Sequence, residues 1–161
     1  MRKNTKRIGE ILVERGLITE AQLHDALLEQ KTTDGFLGGI LMKRGLVNDK
    51  NITEALSEQF GLPIVDLKDQ YIDIDLARKF SSSLIVDHKC FPLSKADDII
   101  TVGIVNPLNA VAMTKIEDEA KPFNVKFVLV SDEQLKVVIQ QYRQSISQSI
   151  RNLLRRDKKP E

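Results

Sequence analysis

Apolar positions recur at helical spacing from Arg7 to Phe60, and then the pattern changes. Ile8, Ile11, Leu12 and Val13 fall on neighbouring turns of a short helix that Gly16 ends. Thr19 opens a second helix, with Gln22 three residues on as its capping-box partner. Leu23, Ala26, Leu27 and Gln30 share one face of that helix, and the polar linker from Lys31 to Gly35 breaks it. The scheme then repeats. Leu37, Ile40 and Leu41 predict a short helix stopped by Gly45. Asn48 caps a further helix whose apolar face is Ile52, Ala55, Leu56 and Phe60, closed by Gly61 and Pro63.

After Pro63 the texture is mixed. Ile64 to Leu67 reads as a short extended link, and Asp73 as the cap of one or two helical turns through Phe80. A short helix is expected near Leu84 to His88. Cys90 to Leu93 and Ile99 to Val105 have strand character, with Lys95 to Asp98 as the turn of a hairpin. Leu108 to Ala120 predicts a helix, and Val125 to Val130 a third strand with Lys126 toward solvent. Ser131 with Gln134 reads as a capping box opening a long last helix, whose apolar stripe is Val138, Ile139, Tyr142, Ile146, Ile150, Leu153 and Leu154.

The helical part is one pattern written twice. Arg7 to Gln30 and Phe36 to Gln59 are each 24 residues, and ten of the 24 aligned positions are identical. Two copies are too few for a solenoid and predict two helical hairpins with approximate twofold symmetry. The expected fold class is therefore α+β: a four-helix subdomain over 1–62, a small α/β subdomain of about three strands over 63–145, and a basic helical extension over 146–161. Residues 1–6 are expected to fray, and the basic tail is expected to be loose at its end.

Composition narrows the chemistry. With 24 basic and 23 acidic side chains the formal charge is +1, without the basic excess of a generic nucleic-acid binder. Two pieces, Gly16 to Gln30 and Gly45 to Gln59, superficially resemble a helix-turn-helix, but their helices carry few cations for phosphate contacts. One cysteine gives no disulfide framework. No apolar run approaches the ~18 residues that span a bilayer. The basic start lacks a signal-peptide apolar core, so the expected setting is cytoplasmic. Phosphate-loop, nucleophile-elbow and zinc-protease motifs are missing, so catalysis is not expected. The acidic clusters Asp97-Asp98 and Glu117 to Glu119 read as solvated surface.

The repeat itself carries the candidate chemistry. Gly9 and Gly38 sit early in short helices, where glycine costs about 1 kcal/mol against alanine. Such a glycine in both copies implies close approach by a packed helix or a ligand. Arg7 offers a flat cation able to stack on a base or bond guanine and phosphate. Leu12, Leu23 and Leu27 could wall a purine, and Gln30 could meet a base edge. Taken singly, each leucine reads more simply as core and each helix-terminal glycine as a cap. The doubled spacing is what packing alone does not require.

The tandem pattern R-[LI]-G-x-x-L-x-x-x-G-x(6)-L-x(3)-L-x-x-Q with a five-residue spacer resembles the N-terminal domain of type II secretion and type IV pilus assembly ATPases, the MshE-type domain. FGLPIVDL after the second copy and CFPLSKADDIITVGIVNPLNAVAM extend the resemblance to about residue 143. The resemblance implies a cyclic di-GMP site with one repeat serving each half of the twofold ligand, and no other cofactor or metal. Repeat one matches at Arg7, Ile8, Gly9, Leu12, Gly16, Leu23, Leu27 and Gln30. Repeat two matches at Leu37, Gly38, Leu41, Gly45, Leu56 and Gln59, with Ile52 for leucine. It departs at Phe36, where the family has arginine. A phenyl ring keeps a stack but donates no bond, and one charge-assisted bond is worth about 1.5–3 kcal/mol.

Two functions follow. One is a regulatory module that binds cyclic di-GMP and signals to secretion, pilus or motility machinery. The other is an interaction domain with ligand binding weakened or lost, docking on an inner-membrane platform protein. The implied partners are an assembly ATPase or that platform protein, reached without nucleic acid and without direct insertion into the membrane.

Overall fold

A computed structural model of the chain describes residues 6–158. The expectations for residues 1–5 and 159–161 lie outside the described residues. The chain divides into two compact units between Val65 and Asp66.

The first unit is all helical: α1 (Ile8–Glu14), α2 (Glu20–Thr33), α3 (Leu37–Lys43) and α4 (Asp49–Phe60). Both short helices stop in the same way. Gly16 and Gly45 take φ of 70° and 71°. The Gly16 N–H then bonds the Val13 carbonyl (2.9 Å) and the Leu17 N–H the Leu12 carbonyl (3.0 Å). Gly45 and Leu46 do the same to Met42 and Leu41. This paired closure needs a left-handed residue, which glycine adopts without a Cβ penalty. Both long helices start with reciprocal caps: Thr19 with Gln22, and Asn48 with Asn51.

The helices exchange partners between repeats. α1 packs chiefly on α4, and α3 chiefly on α2. Ile11, Leu12, Ala26, Leu41, Ala55 and Leu56 form the dry centre. Two ion pairs repeat the exchange at the surface. Arg15 bonds Glu58 at 2.6 Å, and Arg44 reaches Glu29 through its Nε at 2.9 Å. Arg15 and Arg44 occupy equivalent positions in the two copies, as do Glu29 and Glu58.

The second unit opens with 3-10 turns at Leu67–Asp69 and Ile74–Lys79, the latter capped by Asp73. There follow α5 (Ser82–Val86), β1 (Cys90–Ala96), β2 (Ile99–Ile104), α6 (Ala110–Ala120), β3 (Asn124–Leu129) and α7 (Asp132–Arg156). The sheet order is β1-β2-β3, with β1 and β2 antiparallel and β2 and β3 parallel across the α6 connection. An α+β fold is what the periodicity predicts. A bulge between Pro92 and Ser94 takes Leu93 out of the ladder, and its carbonyl accepts the Asp73 N–H at 3.0 Å. Phe91 meets Tyr142 edge-on at 5.9 Å in the core.

Several boundaries differ from the sequence expectations. β1 runs on through Ala96, because a two-residue turn at Asp97-Asp98 closes the hairpin, with Asp97 at φ 54°. α6 begins at Ala110, since the Asn109 side chain caps the Ala112 N–H. Ser131 caps α7, but Gln134 does not complete a box. Its amide instead holds the first 3-10 turn, accepting from the Leu67 N–H at 2.8 Å and donating to Asp66 at 2.9 Å. The apolar stripe of α7 is buried only through Tyr142. Burial alone would raise the Asp132 carboxyl, but Lys89 at 2.7 Å and Lys136 at 3.2 Å outweigh it and hold it below its ordinary range. Burial pushes the Cys90 thiol up to about 11, which marks a packed rather than a reactive cysteine.

Candidate functional site

The two glycines are close-approach points. A Cβ on Gly9 would lie 2.6 Å from the Leu23 Cδ1. A Cβ on Gly38 would lie 3.0 Å from the Ile52 Cγ2 and 2.7 Å from the Phe36 Cε1. Position 17 of each copy therefore seats its side chain over the glycine of the same copy. In repeat two the Phe36 ring covers that seat as well.

Around the Gly9 seat the surface is hollow. Val13, Leu23 and Leu27 floor an open notch of about 650 Å³ between α1 and α2, rimmed by Lys6, Glu10 and Glu14. Leu27 is 40% exposed, whereas its counterpart Leu56 is 1% exposed. Leu12, Leu41, Ile52 and Leu56 are buried in the core with Ile8 and Leu37. Of the predicted apolar wall, only Leu23 and Leu27 line the notch.

The polar members also divide. Arg7 caps α1 in extended conformation, and its own N–H bonds Glu10 at 3.0 Å. Its exposed guanidinium makes no hydrogen bond or ion pair among the described residues. Phe36 holds the same place before α3 and is half-buried. Gln30 donates its amide to the Gly35 carbonyl at 3.0 Å, one residue before Phe36. Gln59 has a buried Oε1 with no hydrogen-bond partner. A buried acceptor left unmatched costs about 1–3 kcal/mol, so such groups are uncommon.

Arg15, Arg44, Glu29 and Glu58 are identical pairs in the aligned copies, yet sequence reasoning gave them no role. Their signal was a cation and an acid conserved between the copies at a fixed offset, and only the exchanged packing pairs them. Among the described residues no group of three His, Cys, Asp or Glu could hold a metal, and no helix is long and apolar enough to cross a membrane.

Twin helical hairpins with reciprocal packing, followed by a small mixed sheet, define a known class of domain. The MshEN domain model matches residues 60–149, more than half of the chain, and the chain belongs to that family. That match covers the end of α4 and most of the second unit. Longer alignments reach the type IV pilus assembly ATPase PilB of Myxococcus xanthus, 26% identical over 136 residues, which are 84% of this chain and 24% of that protein. PilB of Thermus thermophilus is 26% identical over 115 residues, 70% of this chain and 13% of that protein. The chain thus spans a quarter or less of these relatives. A solved structure of MshE with cdg superposes with a TM-score of 0.75 at 27% identity, covering 85% of this chain and 99% of that one. The N-terminal domain of XpsE shares the fold, with a TM-score of 0.69 at 20% identity over 87% of this chain and 96% of that one.

Proposed function

We propose that the chain is a non-catalytic regulatory module that binds cyclic di-GMP through the tandem repeats and signals to pilus or secretion machinery. The observation that carries this reading is the unpartnered Gln59 Oε1 at the last position of the motif. A guanine N–H is the donor that it lacks. The Gln30 amide reaches the backbone just before Phe36, so the end of repeat one lies beside the start of repeat two. On this reading the approximate twofold relation pairs Gln59 with Arg7 in the same way. Each half-site draws its first residue from one repeat and its glutamine from the other.

On this reading the first half-site is Arg7, Gly9, Leu23, Leu27 and Gln59, and both of its polar groups are unspent. A purine enters the notch against Leu23 and Leu27. Lys6 pairs with Glu14 at 2.5 Å, and on this reading the phosphates lie toward the Arg7 guanidinium. The second half-site is Phe36, Gly38, Ile52 and Gln30, and the phenyl ring replaces the cation. The likeness to MshE with cdg supports the assignment of the ligand.

Titration calorimetry with cyclic di-GMP tests the proposal. Heat is expected with the wild-type chain, and Arg7→Ala should weaken binding about ten- to a hundredfold, the loss of one charge-assisted bond. No heat from the wild type at high micromolar ligand would refute it. That result would favour the second reading, an interaction domain for an assembly ATPase or platform protein, which the covered Gly38 seat supports.

A further inference from the structure

The last helix outruns the unit that it packs on. Leu135, Val138, Ile139 and Tyr142 of α7 are buried. The Arg78 guanidinium then clamps the helix, donating to the Ser145 hydroxyl at 2.8 Å and the Ser149 hydroxyl at 2.9 Å. Beyond that clamp the helix continues to Arg156, and among the described residues no element covers it. Its apolar stripe does not end there. Ile150, Leu153 and Leu154 are 52%, 60% and 58% exposed. From Arg143 to Lys158 there are five cations, Arg143, Arg151, Arg155, Arg156 and Lys158, against the single acid Asp157.

At about 100° per residue, Ile150, Leu153 and Leu154 extend the face of Tyr142 and Ile146. Arg151 falls on one border of that face, Arg156 on the other, and Arg155 on the far side. We propose that the last two turns of α7 dock on an anionic lipid surface, with the three apolar side chains at the acyl boundary and the border arginines at the headgroups. A helix of this build lies in the interface and does not span it. The charge argues for this occupant over a second copy. Two such ends face to face would oppose their own arginines, whereas an anionic headgroup layer attracts each of them. The apolar arc is also wider than the narrow seam of a two-stranded coiled coil.

Co-sedimentation of the full chain with vesicles provides the test. Pelleting is expected with phosphatidylglycerol–phosphatidylcholine vesicles, with little on phosphatidylcholine alone, and added salt should weaken it. Leu153→Glu with Leu154→Glu should lower the partition at least roughly tenfold, as should Arg151→Glu with Arg156→Glu. These side chains are exposed, so the thermal midpoint should stay; Ile150→Gln serves as the milder variant if it falls. No pelleting on anionic vesicles, or unchanged pelleting of the leucine variant, would overturn the proposal. A concentration-dependent dimer in sedimentation that the leucine variant abolishes would overturn it in favour of a second copy. None of these readouts depends on cyclic di-GMP, so failure here leaves the ligand reading standing.

Discussion

Repeat one and repeat two share their spacing, their helix stops and their ion-pairing residues, and differ in what they leave open. Leu27 stands 40% exposed beside a notch, while Leu56, its counterpart, is 1% exposed. Among the described residues the Arg7 guanidinium has no hydrogen bond or ion pair, while Phe36 lays its ring over Gly38. The Gln30 amide is bonded to the backbone, while the Gln59 oxygen is buried without a partner. Backbone twofold symmetry has been kept while the chemistry of the two halves has diverged. The open polar groups are split between the copies, Arg7 in repeat one and Gln59 in repeat two. Their counterparts, Phe36 and Gln30, are committed to a ring contact over Gly38 and a backbone hydrogen bond.

The largest test of this contrast is the matched leucine pair. Leu56→Ala should cost about 2–5 kcal/mol in urea unfolding, as a fully buried truncation does. Leu27→Ala should cost under about 1 kcal/mol, since its side chain is half in water already. Equal losses would show that the repeats are packed alike and the notch is closed in solution. Next in size is the first motif position. Phe36→Arg should raise cyclic di-GMP affinity about ten- to a hundredfold by calorimetry, through one added charge-assisted bond. An unchanged affinity would mean that the Gly38 seat takes no part in binding.

Gln59→Met should act with opposite signs in two measurements. Removing the unmatched buried acceptor should stabilise the free chain by about 1 kcal/mol, and should weaken the ligand by roughly tenfold. Loss of stability instead would show that the amide is satisfied by water. The smallest effect concerns what the repeats share. Double-mutant cycles on Arg15–Glu58 and Arg44–Glu29 should each give about 0.3–1 kcal/mol, being surface pairs, and should agree closely. A clear inequality would show that the second contact of Arg15, to Glu54 at 3.5 Å, sets its pair apart.

Much of this was legible in the chain. The doubled pattern specified two hairpins because its glycines, caps and apolar spacing are local signals. Gly16 and Gly45 must turn left-handed wherever the helices end, and Thr19 and Asn48 cap through their own side chains. The three strands and the hairpin between the first two were equally readable. Gln134 was misread because a local capping box and a long-range bond to Leu67 use the same amide, and only the fold decides between them.

By itself, then, the sequence determined the repeat, the helix boundaries near their caps, the α+β class and the family likeness, all of which rest on contacts within a few residues. The tertiary structure alone decided that α1 pairs with α4 and α2 with α3, joining Arg15 to Glu58 and Arg44 to Glu29. It also decided that Leu12 and Leu56 are core while Leu27 lines a notch. The reason is physical. Helical spacing tells which residues share a face, but burial depends on which other helix meets that face. Two similar faces therefore differ in exposure, Leu27 at 40% and Leu56 at 1%.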